Sequence, residues 1–444
     1  MKRLILLLSF WGLVLGGSAF ADLQTALRER AQPLEGAESL RPLVEGMSGA
    51  QLVLMGEASH GTHEYYRWRA EMSRQLIEKG RVGFIAFEGD FDAFEKLDRY
   101  VRLREGAGGS AREILLNFNR WPRWMWANED MVEFVEWVRD YNAGQAFEDR
   151  VALVGKDVYG IWNSVDRLMV HIEQTKPERR SYWETQLGPL IRHVDDPHSY
   201  IRSALARGDS ARSGPEAIVA KFAGEWSDSL QGEERMDRFA LYKHARVIKG
   251  GEAHYRASAS PGNAGWNRRV QHMHEIVQAL LEKHGSDRQG IVWAHNTHIG
   301  DARATGMARQ NMVNIGQLSR EALGGDQVFA VGFSTYTGTV LAGREWQGER
   351  QLMQVPEAES TSMDAKLKAL GIGDFWLIWG DRSALPRELR ARWYTHRAIG
   401  VVYNPETERQ GNYVRTIFPD RYNALIFIEE SRALTPLHSS ESAN

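Results

Sequence analysis

The sequence predicts an α/β protein in which helices flank a central, mainly parallel sheet and a helical insertion lies over the predicted active cleft. Three observations support this fold class. Four short apolar runs, each of strand length, recur along the chain, and each ends in ionisable residues. The stretches between the runs have the spacing of amphipathic helices, which parallel strands need as crossovers. A mainly helical and polar stretch, about 160–285, separates the third run from the fourth.

The first run, Leu52–Met55, has no polar break and is typical of a strand buried on both faces. It stops at Gly56, a polar cluster follows, and a helical pattern opens at about His63. A strand, a glycine turn and a helix present side chains at the carboxyl end of a strand. Because Glu57 and His60 are three residues apart across this turn, we expect them to face one cavity.

The other three runs repeat this pattern. They are GFIAFEGD, which ends in Glu88 and Asp90, VALVGKD, which ends in Asp157, and GIVWAHNTHIGD, which carries His295 and His298. QVFAVGFST, FWLIWGD, AIGVVYN and NALIFIEE are four further strand candidates. The carboxyl ends of parallel strands lie along one edge, where open α/β sheets bind their ligands. A single charged strand end is common at a protein surface, but four such ends favour a site.

The amino terminus predicts a secretory signal, residues 1–21. Lys2 and Arg3 precede an apolar run, and the segment ends in Ala19-Phe20-Ala21. We therefore expect a periplasmic or secreted protein, with no stable membrane insertion after the signal is removed. Residues 22–434 would form one α/β hydrolytic domain, and residues 435–444 a flexible tail.

Charge and cysteine content exclude several classes of function. The net charge is −3, and it becomes −5 when a signal carrying Lys2 and Arg3 is removed. A mildly acidic chain argues against a nucleic-acid partner, which calls for a basic face. The absence of cysteine excludes disulfides, thiol nucleophiles and cysteine metal ligands.

The motifs favour water activation over other chemistries. The chain from residue 22 onward contains no G-x-S-x-G, no strand-to-helix G-x-G-x-x-G and no G-x-x-x-x-G-K-[ST]. What remains is histidines and carboxylates. One interpretation needs no cofactor: an imidazole takes a proton from water, and a second protonated imidazole or a guanidinium supports the oxyanion. In the other, His60, His295 and His298 with Glu57 or Glu88 hold Zn²⁺ or Mn²⁺.

The same motifs resemble the erythromycin esterase family, which includes proteins labelled as succinoglycan biosynthesis proteins. The resemblance rests on GEASHGTHEYYRWR, GFIAFEGD, VALVGKDVYG and IVWAHNTHIGD, and it extends from about Gln51 to the YNALIFIEE segment. It implies an α/β fold with a helical portion over the active cleft. It also implies hydrolysis of an ester, such as the lactone of a 14-membered macrolide, by histidine-activated water.

The resemblance also implies roles for individual residues. The family's general-base histidine falls on His60, in the turn with Glu57, and its strand-end acid falls on Glu88. Its histidine pair falls on His295 and His298, and the arginine of its next helix on Arg69. One departure concerns Arg269, which is followed by Val270 where many relatives carry an acid.

Three further residues are candidates for substrate binding. Asp157 could line the cleft or orient a histidine, and equally could cap its strand. Trp124 and Trp126 could pave an apolar substrate site, although close tryptophans also serve as packing.

The sequence thus leaves three hypotheses. The first is a hydrolase that cleaves a carboxylic ester or lactone in a small molecule with water activated by His60. The second is a metal-dependent hydrolase that uses the same residues. The third is a binding protein related to envelope polysaccharide, without catalysis.

Overall fold

A computed structural model of the chain describes residues 22–194, 196–207, 212–226 and 230–438. Within these residues, nine strands form one sheet and two more form a separate hairpin. The strands are β1 Gln32–Pro33, β2 Leu52–Met55, β3 Val82–Asp90, β4 Ala152–Asp157, β5 Gln289–Trp293, β6 Val328–Gly343, β7 Arg350–Val355, β8 Phe375–Ile378, β9 Tyr394–Arg397, β10 Tyr413–Thr416 and β11 Ala424–Ser431.

Six of the sheet strands run parallel, in the order β11–β6–β2–β5–β3–β4. β8 pairs antiparallel with β11, β1 with β8, and β7 with β6. The predicted fold class, an α/β protein with a mainly parallel sheet, is confirmed. The carboxyl ends of β2, β5, β3 and β4 are therefore adjacent along one edge of the sheet, which is what a shared site requires.

Helices cover both faces of the sheet. They are α1 Arg41–Met47, α2 His63–Glu78, α3 Phe91–Val101, α4 Ala111–Leu116, α5 Glu129–Ala143, α6 Ile161–Thr175, α7 Arg180–Ile191, α8 Pro197–Arg207, α9 Ser213–Glu225, α10 Gly232–Ser258, α11 Ala264–His284, α12 Asn296–Ile299, α13 Ile315–Leu323, α14 Met363–Lys368, α15 Arg387–Arg390, α16 Glu408–Gly411 and α17 Phe418–Arg421. Residues 22–30 are also helical.

Alternate residues of each central strand enter different cores. Val53 and Met55 pack with α1, α2 and α5 on one face, whereas Leu52 and Leu54 pack with α11 and α14 on the other. Since side chains of a strand point alternately to its two faces, a strand covered on both sides must be apolar throughout. This is why the central strands read as continuous apolar runs.

The stretch between β4 and β5 has two parts. Helices α6 to α10 share an apolar cluster of their own, built around Leu168, Leu187 and Ile248. Helix α11 instead packs on the sheet through Val270, Met273 and other apolar residues, as a crossover helix. The stretch is thus a helical layer attached to one crossover of the sheet.

One predicted strand, AIGVVYN, is wrong. Residues 398–404 make only isolated bridges, Ser59 with Ile399 and Gly343 with Val402, and the strand lies just before them at Tyr394–Arg397. The backbone of this segment bonds in turn to Ala58 and to the end of β6, while Ile399 and Tyr403 fill a small core. Its apolar residues therefore serve packing and not a sheet ladder.

The predictions for the two ends of the chain have different outcomes. The tail was expected from residue 435, but Leu437 is buried and donates its backbone N–H to the carbonyl of Ala127. Residues 435–438 therefore belong to the packed domain, and 439–444 lie outside the described residues. So does the predicted signal, residues 1–21. Among the described residues, no helix is both long enough and apolar enough to span a bilayer.

Candidate active site

The site begins at the turn after β2. A side chain at Gly56 would collide with Asn296, because a Cβ atom there would lie 2.1 Å from Asn296 Oδ1. The backbone N–H of Asn296 in turn donates to the carbonyl of Glu57 at 2.9 Å. This close approach joins the turns that follow β2 and β5. His60 Nδ1 lies 2.7 Å from Glu57 Oε1, so the predicted pair forms across the turn.

Arg69 reaches the same carboxylate from α2. Its Nη2 lies 2.7 Å from Glu57 Oε2, and neither side chain is exposed to solvent. The guanidinium carbon also lies 4.6 Å and 4.7 Å from the ring centres of Tyr66 and Trp293. The aromatic rings thus hold the guanidinium, the guanidinium holds Glu57, and Glu57 orients the imidazole of His60.

His295 lies beside His60. The two ring centres are 4.9 Å apart, and the rings are tilted by 42°. The backbone N–H of Thr297 donates to His295 Nδ1 at 3.3 Å, which places the proton of a neutral ring on Nε2. On His60, by contrast, Nδ1 donates to Glu57, which leaves Nε2 as an acceptor. The neighbouring rings therefore differ in their free nitrogen: Nε2 of His60 is an acceptor, whereas Nε2 of His295 carries a hydrogen, is buried and has no hydrogen-bond partner among the described residues.

Glu88 and Asp157 are joined by Arg269 of α11. The guanidinium donates to both oxygens of Asp157, at 2.8 Å and 2.6 Å, and to Glu88 Oε1 at 2.9 Å. Glu88 Oε2 accepts the backbone N–H of His295 at 3.0 Å, and its Oε1 lies 3.1 Å from His298 Nε2. The ends of β3, β4 and β5 are thus connected through one arginine.

Three residues of this site were not predicted to contribute. They are Arg269, Trp266, which stacks on His298 with ring centres 4.4 Å apart, and Lys156, which is buried beside Met273. The sequence signal that could have pointed to Arg269 was its position directly before Val270, the one departure from the family resemblance. Val270, the departure from many relatives, is fully buried in the core and does not face the cluster around Arg269.

Charge interactions shift the pKa values in a way that separates the roles of the two imidazoles. Burial would lower the pKa of His60, but the hydrogen bond and charge of Glu57, with the charge of Glu88, raise it above 6.5. Burial lowers the pKa of His295 well below 6.5, and the positive charge of His60 acts in the same direction. Of the two rings, His60 therefore has the higher affinity for a proton, and His295 favours the neutral form.

Two acidic side chains of the cluster, Glu88 and Asp157, remain ionised near neutral pH. Burial would raise the pKa of Glu88, but His298 and Arg269 hold it well below 4.5. The pKa of Asp157 is also lowered, since the pairing with Arg269 outweighs its burial. Burial lowers the pKa of Lys156 to about 8. These two carboxylates are therefore fixed negative charges, and not proton donors, near neutral pH.

The predicted tryptophans lie elsewhere. Trp126 is buried among Tyr66, Phe87 and Phe94, with ring centres 5.4–6.0 Å away. This corrects the prediction that it binds substrate, because its ring is a core side chain. Trp124 is also buried, and it lines a cavity separate from the histidines. Of the residues predicted for the site, the structure thus gathers all but these two.

The cluster fits a metal ion poorly. Among the described residues, no group of three or more histidine, aspartate and glutamate side chains converges on one point. Glu57 and Glu88 direct their oxygens to His60, Arg69, Arg269 and His298. Because cationic and hydrogen-bonding partners already engage these carboxylates, we derive no step through a metal.

Comparison with known proteins assigns the chain to a family. The sequence profile described as erythromycin esterase matches residues 77–431. The chain belongs to the erythromycin esterase family. The matched range begins after the turn that carries Glu57 and His60. It contains Glu88, Asp157 and the histidine pair after β5, His295 and His298. Membership supports an ester-hydrolysing function and a small-molecule substrate.

The proteins that this chain resembles are distant from it in sequence. Putative hydrolase YbfO of Bacillus subtilis is 21% identical over 427 residues, 91% of this chain and 90% of that protein. Erythromycin esterase type II of Escherichia coli is 21% identical over 334 residues, 70% of this chain and 75% of that protein. A crystal structure of a succinoglycan biosynthesis protein has a TM-score of 0.75 and 18% identity, and the match covers 94% of this chain and 99% of that one. This structural likeness shows a shared fold.

Proposed function

We propose that this protein hydrolyses a carboxylic ester by means of a water molecule activated by His60. The observation that carries the proposal is the pairing of the two imidazoles. Glu57 binds Nδ1 of His60 and leaves its Nε2 as a base, while Thr297 binds Nδ1 of His295 and leaves its Nε2–H as a donor. A base and a neutral donor side by side are what attack of water on a carbonyl requires.

In the proposed reaction, His60 Nε2 takes a proton as the water oxygen attacks the ester carbonyl carbon. The carbonyl oxygen becomes an oxyanion and accepts the Nε2–H of His295. The carbon–oxygen bond to the alcohol then breaks, and the alkoxide takes the proton from His60. The products are the alcohol and the carboxylic acid, and both imidazoles return to their starting state. No step needs an oxidant or a covalent enzyme intermediate.

The remaining charged residues position these two rings. Arg69 fixes Glu57, which sets the tautomer of His60 and stabilises its charged form. Glu88 holds the backbone of His295, and Arg269 keeps Glu88 and Asp157 in place. Removal of a positioning residue should therefore slow the chemical step without removing the groups that carry it out.

A hydrolysis screen tests the proposed function. The mature chain is incubated with p-nitrophenyl acyl esters, simple lactones and a 14-membered macrolide, with and without EDTA. We expect turnover of at least one ester or lactone that EDTA leaves unchanged. Loss of activity with EDTA and its recovery with Zn²⁺ or Mn²⁺ would replace the proposal by the metal-dependent alternative. If nothing is turned over and His60→Asn leaves ligand affinity unchanged, only a binding function remains.

The macrolide arm of the screen follows from the relative named as an erythromycin esterase. We extend the proposal to a lactone ring because lactone and ester carbonyls need the same water attack. We also propose export to the periplasm or beyond, on the basis of the predicted signal at residues 1–21. Mass spectrometry of the protein recovered from its native host would show a mature amino terminus near residue 22 if this is right.

The pH dependence of hydrolysis is the third test. The base must be neutral, so kcat/KM should increase with pH as His60 loses its proton. Because Glu57 and Glu88 raise the pKa of His60, the midpoint of the increase should lie above 6.5. Glu57→Gln removes the main raising interaction and should move the midpoint downward. A wild-type midpoint at or below 6.5, or an unmoved midpoint in the variant, would contradict the assignment.

A further inference from the structure

A cleft outside the histidine cluster lies where the segment with Trp121 and Trp124 meets the turn between β6 and β7. It is a cavity of about 650 Å³. Its lining residues include Asn119, the two tryptophans, Arg350 and, from the carboxyl-terminal segment, His438. The proposed hydrolysis uses none of these residues, so the cleft is free for another task.

The cleft is linked to the catalytic turn through the β6–β7 hairpin. Leu341 of β6 donates its N–H to the carbonyl of Gly61 at 3.0 Å, next to His60. Further along the same hairpin, Gly348 accepts the indole N–H of Trp121 at 2.9 Å. A ligand in the cleft would therefore contact the β6–β7 hairpin, which also borders the turn that carries His60.

The walls of the cleft combine flat aromatic surface with hydrogen-bonding groups. Trp121 and Trp124 line the cleft, and Trp121 is half-buried. An indole face offers a flat apolar surface against which the C–H face of a sugar ring can pack. Asn119 and Glu349 supply amide and carboxylate groups that can bind hydroxyls. This combination fits a saccharide.

The charge of the cleft narrows the ligand class further. Arg123 and Arg350 line it, both are exposed, and neither forms an ion pair within the part of the chain that the structure describes. Arg350 Nη2 makes one hydrogen bond, to His438 Nδ1 at 3.2 Å. Glu349 is the single acidic side chain among the lining residues. Guanidinium groups without a carboxylate partner favour a ligand that brings its own carboxylate.

We propose that this cleft binds an anionic saccharide, with a sugar ring packed on Trp121 and an acidic substituent bound by Arg123 and Arg350. The saccharide would form part of the ester substrate. That second statement rests on the proposed function, whereas binding in the cleft does not.

Binding is measured by titration calorimetry with two trisaccharides of equal length, trigalacturonate and the neutral maltotriose. We expect trigalacturonate to bind the wild-type chain and maltotriose to bind at least tenfold more weakly. The double variant Arg123→Gln/Arg350→Gln should weaken trigalacturonate binding by about tenfold or more, since each charge-assisted contact is lost. Both residues are exposed, so the variant should fold, which its circular dichroism checks.

The chain offers a matched control in another cavity. Arg309 and Arg415 flank Trp393 there, with guanidinium carbons 5.7 Å and 5.8 Å from its ring centre. Arg309→Gln/Arg415→Gln should leave trigalacturonate binding unchanged. Equal losses in the two double variants, equal affinity for both trisaccharides, or no binding would overturn the proposal. If trigalacturonate binds but no ester is hydrolysed, the proposal that the cleft binds an anionic saccharide stands, and only the proposed function is overturned.

Discussion

His60→Asn is expected to lower kcat for ester hydrolysis by about 10²–10⁴-fold, the usual contribution of a general base. Asparagine can still donate a hydrogen bond to Glu57, so the buried carboxylate keeps a partner and the fold should be retained. It has no nitrogen that can take a proton from water. KM should change little, because the base acts on water and not on the bound substrate. Steady-state kinetics on the best ester from the screen measure both constants.

His63→Asn is the matched control. His63 lies three residues further on, and its Nδ1 is 2.7 Å from Asp130, so it is also a histidine paired with a carboxylate. It lines a separate cavity with Arg67 and Glu71. We expect its replacement to leave kcat within about twofold, in line with a change away from the reacting groups. Similar losses of kcat in both variants would mean that the substitutions slow hydrolysis by disturbing the fold, and not by removing a base.

Arg269→Met is expected to destabilise the fold by about 3–5 kcal/mol, the range for breaking a buried ion pair. The change leaves the carboxylates of Glu88 and Asp157 buried without their shared cation. It should also lower kcat, because Glu88 then no longer holds the backbone of His295 at a fixed distance. Urea denaturation at neutral pH measures the free energy of unfolding, and the ester assay measures the rate.

Two further variants separate charge from geometry. Arg268→Met, at the exposed neighbouring position, should cost less than about 0.5 kcal/mol. Arg269→Lys keeps the charge but cannot bind Asp157 through two nitrogens, so it should recover part of the stability and less of the rate. If Arg269→Met unfolds at the same urea concentration as the wild type, the three strand ends are not held together by this guanidinium.

The fold could be predicted well because of how the central strands are buried. A parallel strand covered on both faces must be apolar at every position, and the runs at Leu52–Met55 and Gln289–Trp293 show this directly. β7, Arg350–Val355, was not predicted because most of its residues are exposed and it has no such run. The error at residues 398–404 has the opposite cause: an apolar run filled a core without forming a ladder.

The candidate site could be predicted only in part. Glu57, His60 and Arg69 are close in sequence, and a turn followed by a helix brings them together by local geometry. Arg269 and Asp157 are 112 residues apart, and no local pattern connects them. Trp126 was misassigned because an aromatic residue has the same sequence signature in a core as in a pocket.

The amino-acid sequence by itself determined which segments are strands of a doubly covered sheet and which ionisable residues stand at their ends. These features depend on neighbouring residues and on the two-residue and 3.6-residue periods of strands and helices. The tertiary structure alone decided that one arginine joins three strand ends, and that two neighbouring imidazoles have opposite tautomers and pKa shifts in opposite directions. Proton positions and pKa values depend on burial and on distances between groups far apart in the chain, and those exist only once the chain has folded.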